Sequence, residues 1–250
     1  MAAKVIAIAN QKGGVGKTTT AVHLAHGLAL AGKRVLLIDL DPQGQCATAL
    51  GVKQESGVFN LLVVEAPVKE LVRSARESLW LLPGDKRTAT AQRLVLAENR
   101  RISFLAEVIR PFLRNGLEYI VFDTAPSVGG LQEMALWASD LVLVPCATDF
   151  LAAEGVGKIM ETLDVLVQEQ RWVGKLYGIL PTFFDMVTNE SAATLGDLKQ
   201  KFGECVLKPV RRATVLRECA ALGKTVFEVD SRCRAALEYG GLVHGVLKTK

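Results

Sequence analysis

The chain has 250 residues, half of them hydrophobic, with 30 Lys and Arg against 26 Asp and Glu and a formal net charge of +4. That supplies one core with both faces of a sheet covered, in one large domain or two small ones, and the nearly balanced charge confines any basic site to a local patch. Five scattered cysteines, odd in number and without a C-x-x-C, argue for a reducing cytosol and against a zinc site or a disulfide framework.

The N-terminus passes directly into the first predicted strand, Val5–Ala9, with no charged-then-apolar leader. No apolar run approaches the ~18 residues of a membrane span, so a soluble cytoplasmic protein is expected. Next comes Lys12-Gly-Gly-Val-Gly-Lys-Thr-Thr19, followed by a helical pattern over about 17–31. Strand, glycine loop and helix is the setting of a phosphate-binding loop. Backbone N–H groups of Gly13, Gly14, Val15 and Gly16 can turn onto an anion without Cβ clashes, and the helix N-terminus at Lys17, Thr18 and Thr19 adds partial positive charge. Lys17 would reach β- and γ-phosphates, and the Thr18 hydroxyl would hold Mg²⁺. The general pattern G-x-x-x-x-G-K-[ST] is not met in full: Gln11 takes the first glycine position, and Lys12 adds a second cation. His23 and His26 on the helix have no metal-ligand spacing and are expected to pack or to lie at the surface.

The second strand, Arg34–Asp39, runs into Leu37-Ile-Asp-Leu-Asp-Pro-Gln-Gly44. Carboxylates two residues apart on extended chain point the same way, and like charges this close favour a cation or positive partner. Asp39 is expected near Mg²⁺ and its waters, Asp41 near an attacking water. A helix over 67–76, a strand Leu79–Leu82 and a helix over 88–114 follow. The strand Tyr119–Asp123 opens Tyr119-Ile-Val-Phe-Asp-Thr-Ala-Pro126, an apolar strand ending in an acid that can face Mg²⁺ across the loop, the Walker B arrangement.

Beyond it the pattern gives a helix over 130–137, strand Leu141–Pro145, helix 153–170, strand Leu176–Pro181, helix 189–202, strand Cys205–Pro209 and helices over 213–221 and 232–247. Trp80, Trp137 and Trp172 read as core and interface fillers. Strands alternating with helices predict an α/β fold, a single domain over 1–250 with a mostly parallel sheet flanked by helices on both faces. In such sheets ligands sit beyond the carboxyl ends of the strands, where the phosphate loop, Asp39–Asp41, Asp123–Pro126, Cys146–Asp149 and Pro181–Asp185 all fall.

The K-G-G-V-G-K-T-T loop, the D-x-D-P-Q-G string at Asp39–Gly44 and the D-x-x-P string at Asp123–Pro126 resemble the deviant phosphate loop and two switch motifs of the ParA/MinD ATPases. The resemblance covers nearly the whole chain, including Leu82-Pro-Gly-Asp85, Gly178–Asp185 and Leu207–Glu218, and includes no N-terminal helix-turn-helix domain. It implies that Lys12 reaches across a dimer to the partner's nucleotide, that Asp41 is needed for hydrolysis and that backbone near Pro209 brackets adenine. ATP with Mg²⁺ is favoured over GTP, since no Asn-Lys-x-Asp string is present.

The resemblance further implies an ATP-dependent homodimer that binds non-specific double-stranded DNA and is released when a ParB-like or other adaptor stimulates hydrolysis, so moving a chromosome or plasmid on the nucleoid. The last quarter of the chain is locally basic, and Lys199, Lys201, Arg211, Arg212 and Arg217 are the candidate phosphate contacts. One alternative is the same engine carrying another cargo, such as carboxysomes or protein clusters. Another is a MinD-like membrane-bound regulator, which Gly240, Gly241 and Gly245 disfavour by weakening the last helix.

Overall fold

The computed structural model describes residues 3–113, 116–127, 130–149 and 152–249. Among the described residues seven strands form one sheet: β1 (Lys4–Ile8), β2 (Val35–Asp39), β3 (Arg73–Arg76), β4 (Leu79–Leu82), β5 (Tyr119–Asp123), β6 (Leu141–Ala147) and β7 (Lys175–Thr182), in the order β3-β4-β2-β5-β1-β6-β7. Every pairing is parallel except the β3–β4 hairpin. The helices are α1 (Lys17–Leu30), α2 (Gln45–Ala49), α3 (Gly57–Phe59), α4 (Val68–Leu71), α5 (Arg87–Ala97), α6 (Phe104–Leu113), α7 (Leu131–Trp137), α8 (Ala152–Gln170), α9 (Asn189–Phe202), α10 (Thr214–Ala221), α11 (Val226–Val229) and α12 (Arg234–Lys248).

Side chains alternate across each strand, and here both sets are apolar. Val5, Ala7, Leu36, Ile38, Ile120, Phe122 and Val142 face one core with Ala91 of α5, Ile109 of α6, Met134 of α7 and Ile159 of α8. Ile6, Ile8, Val35, Leu37, Val121 and Leu143 face the other with Leu24 and Leu28 of α1 and Val243 of α12. Burial on both faces explains why the strands read as continuous apolar runs. The close approach of α1 to α12 depends on Gly27: a Cβ there would come 2.5 Å from Val243 Cγ2.

Three sequence expectations fail locally. The predicted helix 67–76 is only the single turn α4, followed by β3. Ser78 adopts a left-handed conformation, φ 57°, and reverses the chain so that Arg73–Arg76 covers the β4 edge antiparallel. Arg76 anchors this hairpin through Nε to Glu228 Oε1 at 2.7 Å and Nη2 to the Gly223 carbonyl at 2.8 Å, so tertiary contacts override helical spacing. The predicted helix 88–114 is two helices, α5 and α6, broken where Asn99 turns left-handed, φ 50°; its last residue, 114, lies outside the described residues. The predicted strand Cys205–Pro209 does not form. Pro209 has no N–H to donate, and the segment runs beside β7 on isolated bonds, Leu207 N–H to Ile179 O and Val210 N–H to Pro181 O, both 2.8 Å.

Candidate nucleotide site

The phosphate loop joins the end of β1 to α1 at the carboxyl edge of the sheet. Gly14 and Gly16 take φ of 72° and 86°, a region costly for residues with a Cβ. Gly16 is the N-cap of α1 and supplies no side-chain acceptor, and the first turn carries no acid, so the terminal N–H groups remain open to an anion. Lys17 is buried, its Nζ donating to the Lys12 carbonyl at 2.9 Å. Burial lowers its pKa, while the nearby charges of Asp123 and Asp41 oppose that shift. A cavity of about 510 Å³ lies against Gly14, Lys17, Thr18 and Thr19 on one side and Asp41 and Pro126 on the other.

Register sets the acidic side of the site. Asp39 and Asp123 are direct partners across β2 and β5, and both are fully buried. Asp123 Oδ2 accepts from Thr18 Oγ1 at 2.7 Å and from Cys46 Sγ at 3.3 Å. Asp39 accepts from the backbone N–H groups of Asp41 at 3.1 Å and Cys46 at 3.0 Å. Among the described residues Asp123 Oδ1, which is buried, has no hydrogen-bond partner. Burial, aided by the charge of Asp123, pushes the Asp39 carboxyl well above its usual range, and burial brings Asp123 up to about 6. Two buried acids and a hydroxyl with an orphaned oxygen are the environment a hard divalent cation relieves, so the residues present fit Mg²⁺. Asp41 lines the cavity and accepts from the Gln43 N–H at 2.8 Å.

Lys12 faces elsewhere. Its Nζ lies 2.6 Å from both Asp149 oxygens, just past β6, and its backbone N–H is held by Asn10 Oδ1 at 2.9 Å. It does not line the cavity of its own loop. Gln11, at the missing-glycine position, donates to Thr162 Oγ1 of α8 at 3.3 Å.

A second cavity of about 310 Å³ adjoins the first and shares Gly16, Thr19 and Phe183 with it. Its far wall includes Val210, Arg212, Thr214 and Arg217. Phe183 stands between the two with φ 54°, an uncommon conformation for an aromatic residue. Pro209 opens instead on a neighbouring cavity between β7 and α12, so the residues facing the loop begin one position later, at Val210.

The five basic candidates do not form one set. Lys199 and Lys201 are exposed in the last turn of α9. Arg211, Arg212 and Arg217 line the second cavity, and Arg211 is tied to Glu238 through Nε at 2.6 Å and its backbone N–H at 2.9 Å.

The sequence places three residues around the site without giving any of them a role. Asp149 falls in Cys146–Asp149 and Phe183 in Pro181–Asp185, both at strand ends, but neither has a motif of its own. His23, read as a packing residue, is buried but also bridges. Val226 N–H donates to its Nε2 at 3.0 Å, so Nδ1 carries the proton and donates to the Thr19 carbonyl at 2.7 Å. Burial lowers its pKa to about 4. The neutral ring thus links the start of α1 to α11.

Residues 3–173 match the family model described as an AAA domain. Over 250 residues the chain is 34% identical to the chromosome partitioning protein ParA of Myxococcus xanthus, covering 98% of this chain and 88% of that protein. It is 38% identical over 244 residues to the chromosome-partitioning ATPase Soj of Thermus thermophilus, covering 97% and 94%. Among solved structures it superimposes on cobyrinic acid a,c-diamide synthase from Mycobacterium smegmatis with bound ATP analog and magnesium, at a TM-score of 0.84 and 29% identity over 98% of this chain and 95% of that one.

Proposed function

The chain belongs to the ParA/MinD family of ATPases, and from that membership we propose that it is a DNA-partitioning ATPase switched by ATP-dependent dimerisation. The observation that carries this reading is the placement of Lys12. A phosphate loop with two lysines commits only Lys17 to its own cavity and holds Lys12 away, on Asp149. In the proposed ATP state Lys12 leaves Asp149 and reaches the phosphates of a second copy, where a trans-acting cation offsets charge that grows in the transition state.

Within one subunit, the loop N–H groups and Lys17 hold the β- and γ-phosphates, and Thr18, Asp39 and Asp123 are the residues that would hold Mg²⁺. When bound, the ion screens phosphate charge and polarises the γ-phosphoryl group. Asp41, on the opposite wall, orients a water toward the γ-phosphorus. The water oxygen bonds to phosphorus, the bond to the β-phosphate oxygen breaks, and ADP and phosphate result. Phe183, Val210 and Arg212 enclose the base and ribose end.

Exposed lysines on α9 then act in pairs, doubled by dimerisation, on the phosphate backbone of duplex DNA. Hydrolysis returns Lys12 to Asp149 and releases the DNA, and an adaptor sets the timing. The cargo in this reading is a chromosome or plasmid. Among the described residues no helix is long and apolar enough to cross a membrane. Light scattering with ATP, ADP or no nucleotide, followed by co-sedimentation with unrelated DNA duplexes, tests the reading. A protein that stays monomeric with ATP, or binds DNA equally with ADP, defeats it.

A further inference from the structure

The reaction outlined above leaves Cys46 without a task, yet its thiol occupies an unusual place. It is fully buried, with Sγ 3.3 Å from Asp123 Oδ2, and its backbone N–H donates to Asp39 Oδ2. One donor atom each from Asp39, Cys46 and Asp123 lies within 4.8 Å of the others. Another buried thiol of the chain, Cys146, instead points at the Ala152 carbonyl at 3.4 Å. The same cluster holds an unspent acceptor, the oxygen already set against Mg²⁺: Asp123 Oδ1 is fully buried and has no hydrogen-bond partner among the described residues.

The donor set selects a kind of ion. Mg²⁺ takes oxygen ligands and keeps its waters. A thiolate with two carboxylates suits a softer tetrahedral ion, with metal–sulfur near about 2.3 Å and metal–oxygen about 2.0–2.2 Å. Such bonds separate neighbouring ligand atoms by roughly 3.3–3.7 Å, within the spread of this cluster. Thr18, hydrogen-bonded to Asp123 and lining the phosphate cavity, stands between the cluster and solvent.

We propose that Asp39, Cys46 and Asp123 form an inhibitory site for a thiophilic divalent cation of the zinc or cadmium type. On binding, the Cys46 S–H bond gives its proton to solvent as the sulfur–metal bond forms. The ion then engages the two carboxylates that the proposed Mg²⁺ arrangement uses and draws Asp123 away from Thr18. Occupancy by the soft ion and productive ATP binding exclude each other. The exclusion rests on the nucleotide reading above; the metal site itself does not.

The test is a Cd²⁺ titration of the nucleotide-free full chain, followed by the ultraviolet sulfur-to-cadmium charge-transfer band. The proteins are wild type, Cys46→Ser, Cys46→Ala and a Cys205→Ala/Cys233→Ala control that removes the more accessible thiols. One equivalent of band is expected in wild type and control, and none in either Cys46 variant; if Cys46→Ala does not fold, the near-isosteric Cys46→Ser decides. Saturating ATP with Mg²⁺ should suppress the band, and Zn²⁺ should inhibit turnover of wild type at least about tenfold more tightly than that of Cys46→Ser. A wild-type band that forms while ATP fails to bind supports the metal site and refutes the nucleotide reading. No band in wild type, or an undiminished band in Cys46→Ser, overturns the proposal.

Discussion

Lys12 and Asp149, 137 positions apart in sequence, form an ion pair in which one lysine nitrogen meets both carboxylate oxygens at 2.6 Å. The pair is partly exposed, 32% and 44% for the two side chains. Solvent screening therefore limits its worth to about 0–1 kcal/mol. It can bias where Lys12 rests without locking it there, which suits a residue proposed to change partners between nucleotide states.

Asp149→Ala should free Lys12 in both subunits and shift the ATP-dependent monomer–dimer equilibrium toward the dimer by up to about 30-fold, the equivalent of about 1 kcal/mol for each of the two pairs. ATP titrations followed by light scattering measure this. Unchanged or weakened dimerisation in the variant would show that the pair is not a brake. Lys12→Ala should act oppositely, losing the ATP dimer, hydrolysis or both while Lys17 still permits binding to the monomer.

Lys17→Ala and Thr18→Ala should each abolish productive ATP binding. Lys17 is the one lysine of the loop that lines the cavity, and Thr18 shares Asp123 Oδ2 with the proposed cation site. Calorimetric titration with ATP and Mg²⁺ is the measurement, and wild-type affinity in both variants would sink the assignment.

The parts of the site that were legible in the sequence are those fixed by short-range rules. The glycines that need positive φ, the apolar strand ending in Asp123 and the turn after Asp39 announce themselves locally. The in-register meeting of Asp39 with Asp123 follows once β2 and β5 are neighbours, but spacing alone does not make them so. The sequence places Asp149 and Phe183 at strand ends but gives neither a role; what they touch is decided by β6 and β7 ending beside the loop. The same limit explains the fold errors. Apolar spacing over 67–76 fits a helix, and only the free β4 edge and the Arg76–Glu228 anchor make its second half a strand.

Asp41→Ala should retain ATP binding, because Asp41 sits on the wall opposite the loop and its described hydrogen bonds are local. Loss of a water-positioning carboxylate commonly costs ~10²–10⁴ in rate. The variant should therefore accumulate as a dimer with ATP. Single-turnover hydrolysis at the wild-type rate would remove Asp41 from the reaction.

His23 makes a prediction about pH. Its folded-state pKa is lowered to about 4 from an ordinary value of 6.5, so between these limits the unfolded chain binds more protons than the folded one. Its contribution is present above about 6.5 and is lost as pH falls toward 4, at most ~3 kcal/mol. Asp123 opposes it: its pKa is raised to about 6 from 3.8, so its buried charge destabilises the fold above pH 6, and that penalty is relieved as pH falls. His23→Gln should be less stable at neutral pH but should lose less stability than wild type between pH 6.5 and 4.5, read by urea unfolding. Parallel pH profiles for the two proteins would rule out the buried neutral imidazole.

DNA contact can be separated from nucleotide contact because the basic candidates fall on different surfaces. Arg212 and Arg217 line the cavity beside the loop, and Arg211 is held by Glu238, so changing them disturbs nucleotide binding together with any DNA contact. Lys199 and Lys201 are exposed at the end of α9, away from both cavities. The double variant Lys199→Ala/Lys201→Ala should keep ATP-dependent dimerisation and hydrolysis while binding DNA more weakly. Each phosphate contact contributes a slope of about −0.9 in log affinity against log salt, so losing two per subunit should flatten the slope of the ATP dimer by about 3–4. The loss should be equal on unrelated duplexes, since contacts to phosphate carry no base information. A salt titration of ATP-state binding to two such duplexes measures both quantities. An unchanged slope would move the DNA surface off α9, and weakening confined to one duplex would replace backbone tethering with sequence recognition.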